Sequence, residues 1–221
     1  EPVIGVPAEL TLEGGGTLEN GAGEAALKLE RIDGQRGSFT LSAGYANETG
    51  ILALDLDLDE GEDGIVATLT SLPGAPPLAF TLKGTGPISD YTADLALATD
   101  GADRLAGRVT LDRPSAEAPM SFTARLDGDL TPLLAAEYQD FFGDDARLAV
   151  IGLRDPEGTL ELSSLVIAAD ALQLSGNAVI APGGWPERVN LTGRVVSPDG
   201  GPVRLPIGGD PTWVDRIGLT L

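Results

Sequence analysis

Alternation of period two governs this sequence, and its clearest run is Ile51-Leu-Ala-Leu-Asp-Leu-Asp-Leu-Asp59. Successive side chains of an extended strand point to opposite faces. Leu52, Leu54, Leu56 and Leu58 therefore share one face, and Asp55, Asp57 and Asp59 share the other. The same one-sided pattern returns at Leu10/Leu12, Leu27/Leu29, Phe39/Leu41, Leu78/Phe80/Leu82, Leu95/Leu97 and Val109/Leu111. It continues through Phe122/Ala124/Leu126, Leu148/Val150, Leu160/Leu162, Leu172/Leu174, Val189/Leu191 and Val203/Leu205/Ile207. Turn signals separate the runs: Asn20-Gly21, Asp33-Gly34, Asp63-Gly64, Asp100-Gly101, Gly183-Gly184 and Asp199-Gly200. Strand centres roughly 8 to 14 residues apart fit meandering antiparallel strands rather than strand–helix–strand units. The expected fold class is mainly β.

One segment departs from that rhythm. Thr131-Pro132-Leu-Leu-Ala-Ala-Glu-Tyr-Gln-Asp-Phe-Phe-Gly143 reads as a short helix near 131–142, with Thr131 at the N-cap, Pro132 in the first helical position and Gly143 beyond the end. Leu134, Tyr138, Phe141 and Phe142 fall on one face of such a helix. It can cap the open end of a sheet, or lie over an apolar groove as a plug or gate.

A weak internal repeat joins residues 10–44 to residues 80–112. Leu12-Glu-Gly14-Gly-Gly16 precedes Ala25-Ala-Leu27-Lys-Leu29, and 70 positions on Leu82-Lys-Gly84-Thr-Gly86 precedes Ala93-Asp-Leu95-Ala-Leu97. Asp33-Gly34 leads to Phe39-Thr-Leu41 as Asp100-Gly101 leads to Val109-Thr-Leu111. Such self-similarity suits a single elongated sheet that grows by stacking hairpin units over 1–221.

A sheet with one leucine-rich face cannot leave that face in water. It packs on a second sheet, closes into a barrel, or folds around something apolar. Aromatic residues are only 5% of the chain, where large sandwich cores usually draw volume from them. Leucine is also not the residue that strands prefer, although it makes a good hydrocarbon wall. A bound acyl chain would gain about 0.8 kcal/mol for each methylene buried against it.

Composition closes other routes. The 221 residues include no histidine and no cysteine, and 34 acidic against 14 basic side chains give a net charge of -20. Disulfides, thiol nucleophiles, cysteine- or histidine-held metals and histidine-based triads are excluded. Phosphate backbones repel such a surface, so nucleic acid is not an expected partner. The acidic run Asp55–Gly64 is not an EF-hand, because the positions that need glycine and glutamate hold Glu60 and Val66. Gly14-Gly-Gly16 and Gly84-Thr-Gly86 lack the lysine and following helix of a nucleotide loop. The carboxylates lie on polar faces and turns, as solvated charges do, and no acid–base pair stands out. No cofactor, metal or enzymatic activity is expected. The opening Glu1-Pro2-Val3 carries no visible targeting segment, and the chain reads as an internal piece of a longer polypeptide.

Three stretches carry a family resemblance: Leu126–Asp145, Gly184–Gly193 and Leu82–Leu97. Together they resemble the alphaproteobacterial TamB-like subunit of the translocation and assembly module, within the AsmA-like, bridge-type lipid transfer proteins. The likeness runs from about Val6 to Arg194, over loose motifs with no catalytic signature. It implies a periplasmic β-taco, a curled sheet with an open hydrophobic groove, in an inner-membrane-anchored protein. It also implies phospholipid transport between inner and outer membranes, a role in outer-membrane protein assembly and secretion, and TamA as barrel partner of the full-length protein. Under that reading, phospholipid acyl chains lie against Leu10, Leu12, Leu27, Leu29, Phe39, Leu41, Leu52, Leu54, Leu56, Leu58, Leu95, Leu97, Val109, Leu111, Phe122 and Leu126. Leu134, Tyr138, Phe141 and Phe142 form a groove-associated helix. The competing expectation is a structural β-sandwich or solenoid module of a large bacterial surface protein, with a filled core.

Overall fold

A computed structural model describes residues 7–115, 117–206 and 210–221. Ile207, which the alternation places in a strand, and the opening Glu1-Pro2-Val3 lie outside the described residues. Four strands come first: β1 Leu10–Glu19, β2 Ala22–Arg31, β3 Gly37–Ala46 and β4 Ile51–Glu60. A short helix, α1 Ile65–Leu69, separates them from β5 Leu78–Pro87, β6 Tyr91–Thr99, β7 Ala102–Asp112 and β8 Met120–Gly128. A second helix, α2 Ala136–Phe142, precedes β9 Ala146–Arg154, β10 Leu160–Ala168, β11 Leu172–Ile180 and β12 Pro186–Val196. The two-residue strands β13 Val203–Arg204 and β14 Trp213–Val214 pair with each other, and β15 Arg216–Thr220 returns to pair with β12.

The principal sheet has 13 strands in sequential order from β1 to β12, with β15 last, and it is not closed. Two compact units, Glu1–Ala106 and Gly107–Leu221, divide the chain within β7. The meander follows from the turns. Asn20-Gly21 (φ 51° and 79°) and Asp100-Gly101 (φ 54° and 72°) both take the paired left-handed conformation of a tight hairpin.

The repeat is more extensive than the motifs indicated. Strands β1, β5 and β9 begin at Leu10, Leu78 and Ala146, a constant step of 68 residues, and a helix follows each of the first two four-strand blocks. Register sets the equivalence. Leu12 pairs with Leu29 and Gly16 with Ala25 in the first block; Phe80 pairs with Leu97 and Gly84 with Ala93 in the second. The counterpart of Gly84 is therefore Gly16, not Gly14, and Gly152 stands one further step along. Three consecutive glycines leave the motif degenerate, and only strand pairing chooses among them. Glycine has a steric role at the later two positions. A Cβ on Gly84 would lie 2.6 Å from the Thr92 carbonyl, and one on Gly152 would lie 2.5 Å from the Phe122 ring.

Strand β10 needs an irregularity to stay one-sided. Leu160 and Leu162 alternate with Leu165 and Ile167 only if one residue is skipped, and a bulge between Leu162 and Leu165 skips it. Leu162 then faces Gly152 and Leu165 faces Val150, on one side of the sheet.

The helix expected from Thr131 begins later. Residues Thr131–Leu133 form a single 3-10 turn, Leu134 is extended (φ -120°, ψ 149°), and α2 starts at Ala136. Asp129 accepts hydrogen bonds from the Thr131 amide at 2.9 Å and from its hydroxyl, so the proposed cap is drawn backward, away from the helix. Gly143 does end the helix, with φ 65°. Helix α1 was not expected at all. Asp63-Gly64 read as a plain turn, and Ile65-Val-Ala-Thr-Leu69 is too rich in β-branched residues to signal a helix. Glu60, expected to be solvated, is instead 4% exposed. Its carboxylate accepts the Ile65 and Val66 amides at 3.0 and 2.9 Å, satisfying two donors at the start of α1.

Candidate functional site: an apolar sheet face in the first unit

Pairing converts the alternation of separate strands into continuous lateral rows. In the first unit one row runs Leu12, Leu29, Phe39, Leu58, Phe80, Leu97 across six strands. The next runs Gly14, Leu27, Leu41, Leu56, Leu82, Leu95. Leu54 joins Ala43 and Leu52 joins Tyr45 in the rows beyond. The structure thus assembles the first-unit residues expected from the sequence, and adds Phe80, Leu82 and Tyr45 to them.

The opposite face is polar. Lys83 lies 3.2 Å from Asp55 and 3.9 Å from Asp57, Lys28 pairs with Glu30 at 2.9 Å, and Asp59 pairs with Arg36 at 2.8 Å. All are solvent-facing pairs, whose attraction water and salt largely screen. Their effect is to keep one side of the sheet wet and charged.

What matters is how little covers the apolar rows. Leu27, Leu29, Phe39, Leu41, Leu52, Leu54, Leu56, Leu58, Leu95 and Leu97 are all only half-buried, and Leu12 is 64% exposed. A filled sandwich would bury the inner residues of both sheets almost completely.

Helix α1 covers one end of this face. Beneath it is a pocket of about 390 Å³ lined by Leu10, Leu29, Phe39, Leu56, Leu58 and Phe80 from the strands and by Ile65 and Val66 from the helix. Arg31, Gly37, Ser38 and Glu60 complete the wall. Toward the other end, Tyr91 is buried, and burial raises its phenol above the ordinary tyrosine range. Its hydroxyl has no hydrogen-bond partner among the described residues. Neither α1 nor Arg31 was expected at the site. A lone arginine in register with leucines was the available signal for the second.

The second unit uses the same sheet design differently. Leu126, Leu148, Ile167, Leu174, Gly193 and Leu219 form one row there, and Phe122, Gly152, Leu162, Ala178 and Val189 another. Val109, Leu111, Phe122 and Leu126 are half-buried. Phe141 of α2 joins Ala171, Val195 and Val203 in a buried cluster, flanked by Phe142, Leu172, Leu205, Val214 and Leu219. The rings of Phe141 and Phe142 meet edge to face at 5.0 Å. Backbone bonds from Ala171 and Asp170 to the Phe141 and Phe142 carbonyls tie the helix end to β11. Tyr138 lies under the Arg204 guanidinium at 5.0 Å, and Arg204 reaches Glu137 at 2.7 Å. Leu134 is half-buried ahead of the helix.

Among the described residues no group of three or more acidic side chains is arranged to hold a metal ion, and no helix is long and apolar enough to cross a membrane. Comparison with protein-family models, curated proteins and solved structures returns no match.

Proposed function

We propose that this chain is a non-enzymatic lipid-handling segment whose first-unit apolar face receives phospholipid acyl chains. The observation that carries the reading is the half-buried state of ten large apolar residues that share one sheet face in register. Their polar surroundings keep the chain soluble, while the face itself offers hydrocarbon a surface that releases water on contact. The resemblance to TamB-like, AsmA-like proteins supports the same reading. On that reading the segment belongs to the periplasmic part of an inner-membrane-anchored protein that passes phospholipid toward the outer membrane and supports outer-membrane protein assembly with TamA.

Native mass spectrometry on protein purified without detergent tests this, with lipid extraction from the same sample. Phospholipid-mass adducts are expected on the wild type and are expected to be lost in the folded double variant Leu54→Asp, Leu56→Asp. Retained adducts in that variant would remove the assignment. A wild-type protein that stays bare after incubation with lipid would favour the second reading, a structural module with a filled core. That alternative draws its support from the Phe141, Ala171, Val195, Val203 cluster of the second unit.

A further inference from the structure

The pocket under α1 contains a charged side chain on the sheet face that alternation otherwise gives to apolar ones. Arg31 pairs with Leu10 and shares the sheet face of Leu27 and Leu29. Its side chain is only 4% exposed. The stem lies across Gly37, where a Cβ would come within 3.2 Å of the Arg31 Cβ and Cδ. Leu29, Phe39, Leu58, Phe80 and Val66 line the same pocket. Burying a guanidinium among hydrocarbon is costly unless its donors are used.

Among the described residues only part of that donor set is used. Nε donates to both carboxylate oxygens of Asp33 at 2.9 Å, and Asp33 is itself fixed by the Gln35 amide at 3.2 Å. That hydrogen bond from Arg31 holds the Asp33 carboxyl below the usual carboxylate range. Among the described residues, the terminal Nη1 and Nη2 groups make no hydrogen bond or ion pair. The other charged wall residue, Glu60, accepts the two α1 amides. Arg31 is thus an oriented fork, anchored at Nε, with the N–H groups suited to paired oxygen acceptors still unclaimed.

We propose that the α1-covered pocket binds one acyl chain of a zwitterionic phosphate-bearing amphiphile, with the free Arg31 N–H groups on the phosphate oxygens. The proposal rests on the lipid reading and names the headgroup chemistry of that site. Two opposed constraints select a zwitterion. The Arg31 Nη donors suit an anionic oxygen, whereas Glu60 in the wall, Asp33 beside Arg31 and a net charge of -20 repel a ligand that is anionic overall. A phosphate accompanied by its own cation satisfies both. The volume of about 390 Å³ is near the lower end of ligand pockets, which run from about 300 to 1,000 Å³, and so fits one chain rather than two.

Three twelve-carbon probes, used as monomers in calorimetric titration, separate the alternatives: dodecylphosphocholine, dodecanoate and dodecyl maltoside. The wild type is expected to bind dodecylphosphocholine about tenfold more tightly than dodecyl maltoside, the difference one charge-assisted hydrogen-bonded contact supplies. Arg31→Met is expected to abolish that preference and to leave dodecyl maltoside binding within about threefold of the wild type. Should Arg31→Met fail to fold, Arg31→Lys keeps the charge without the planar fork and is expected to lose most of the preference. An unchanged preference in either folded variant would overturn the assignment of Arg31. Tightest binding of dodecanoate by the wild type would overturn the zwitterion. Failure of all three probes would instead sink the underlying groove reading.

Discussion

Helices α1 and α2 follow successive four-strand blocks at equivalent places, yet one overlies a pocket and the other completes a core. The sheets beneath them are alike, each with leucine-rich rows on one face. The difference lies in what the inserted segment brings. Helix α1 is five residues long and supplies Ile65 and Val66 to the pocket wall. Helix α2 contributes Phe141 and Phe142, and the β13–β14 ribbon adds Val203 and Val214 to the same cluster. Aromatic volume removes the space that aliphatic side chains of α1 leave open. An apolar sheet face is therefore neither a core nor a groove in itself. The segment laid over it decides.

The sharpest way to break this comparison is to empty the filled side. Phe141→Ala is expected to cost about 3–5 kcal/mol, whereas Leu56→Ala, on the half-buried face, is expected to cost about 1–2 kcal/mol. Urea titration followed by circular dichroism on the two variants checks it. Equal costs would mean that the first-unit face is as tightly packed as the α2 core.

A smaller effect is expected at the α1 cap. Glu60→Ala leaves the Ile65 and Val66 amides without their carboxylate and is expected to cost about 1–2 kcal/mol. Amide exchange at those two residues should speed up while exchange at Ala171, in the other unit, stays as it is. If all three amides respond together, α1 is part of a global unfolding unit and not a locally held cover.

The smallest expected effect concerns pH. Burial raises the Asp170 carboxyl, helped by the nearby charges of Asp144, Asp145 and Asp199. The folded state then holds this proton more tightly than the unfolded chain does, so stability falls as pH rises from the ordinary carboxylate range through the raised value, and is level above it. Asp33 has the opposite sign: its lowered carboxyl contributes stability above the ordinary range that is lost on acidification. Asp170→Asn should melt slightly above the wild type at neutral pH, with the gap narrowing as both are acidified. A gap that does not change with pH would mean that ionisation of Asp170 is not its source.

Much of this architecture is legible in the sequence. The rows through Leu54, Leu56 and Leu58 follow from alternation, because a strand has only two faces and an acidic residue at every second position labels the wet one. Asn20-Gly21 and Asp100-Gly101 were equally legible, since few other dipeptides take two successive left-handed conformations without strain. Local signals failed at three places. Helix α1 is held by Glu60 and not by its own propensity. The 131–134 segment turns early because Asp129 takes the hydroxyl of Thr131. The equivalence of Gly16 and Gly84 needed the strand register to separate it from a neighbouring glycine.

The sequence by itself determined which side chains lie together on a face and where the chain reverses, because both depend on residues a few positions apart. Tertiary structure decided whether that face is covered. Coverage depends on residues distant in the chain, such as Phe141, Val195 and Val203, meeting in one place, and on a guanidinium at Arg31 being held by Asp33 beneath a helix whose start rests on Glu60. No local period encodes those meetings, since they exist only once the strands have paired.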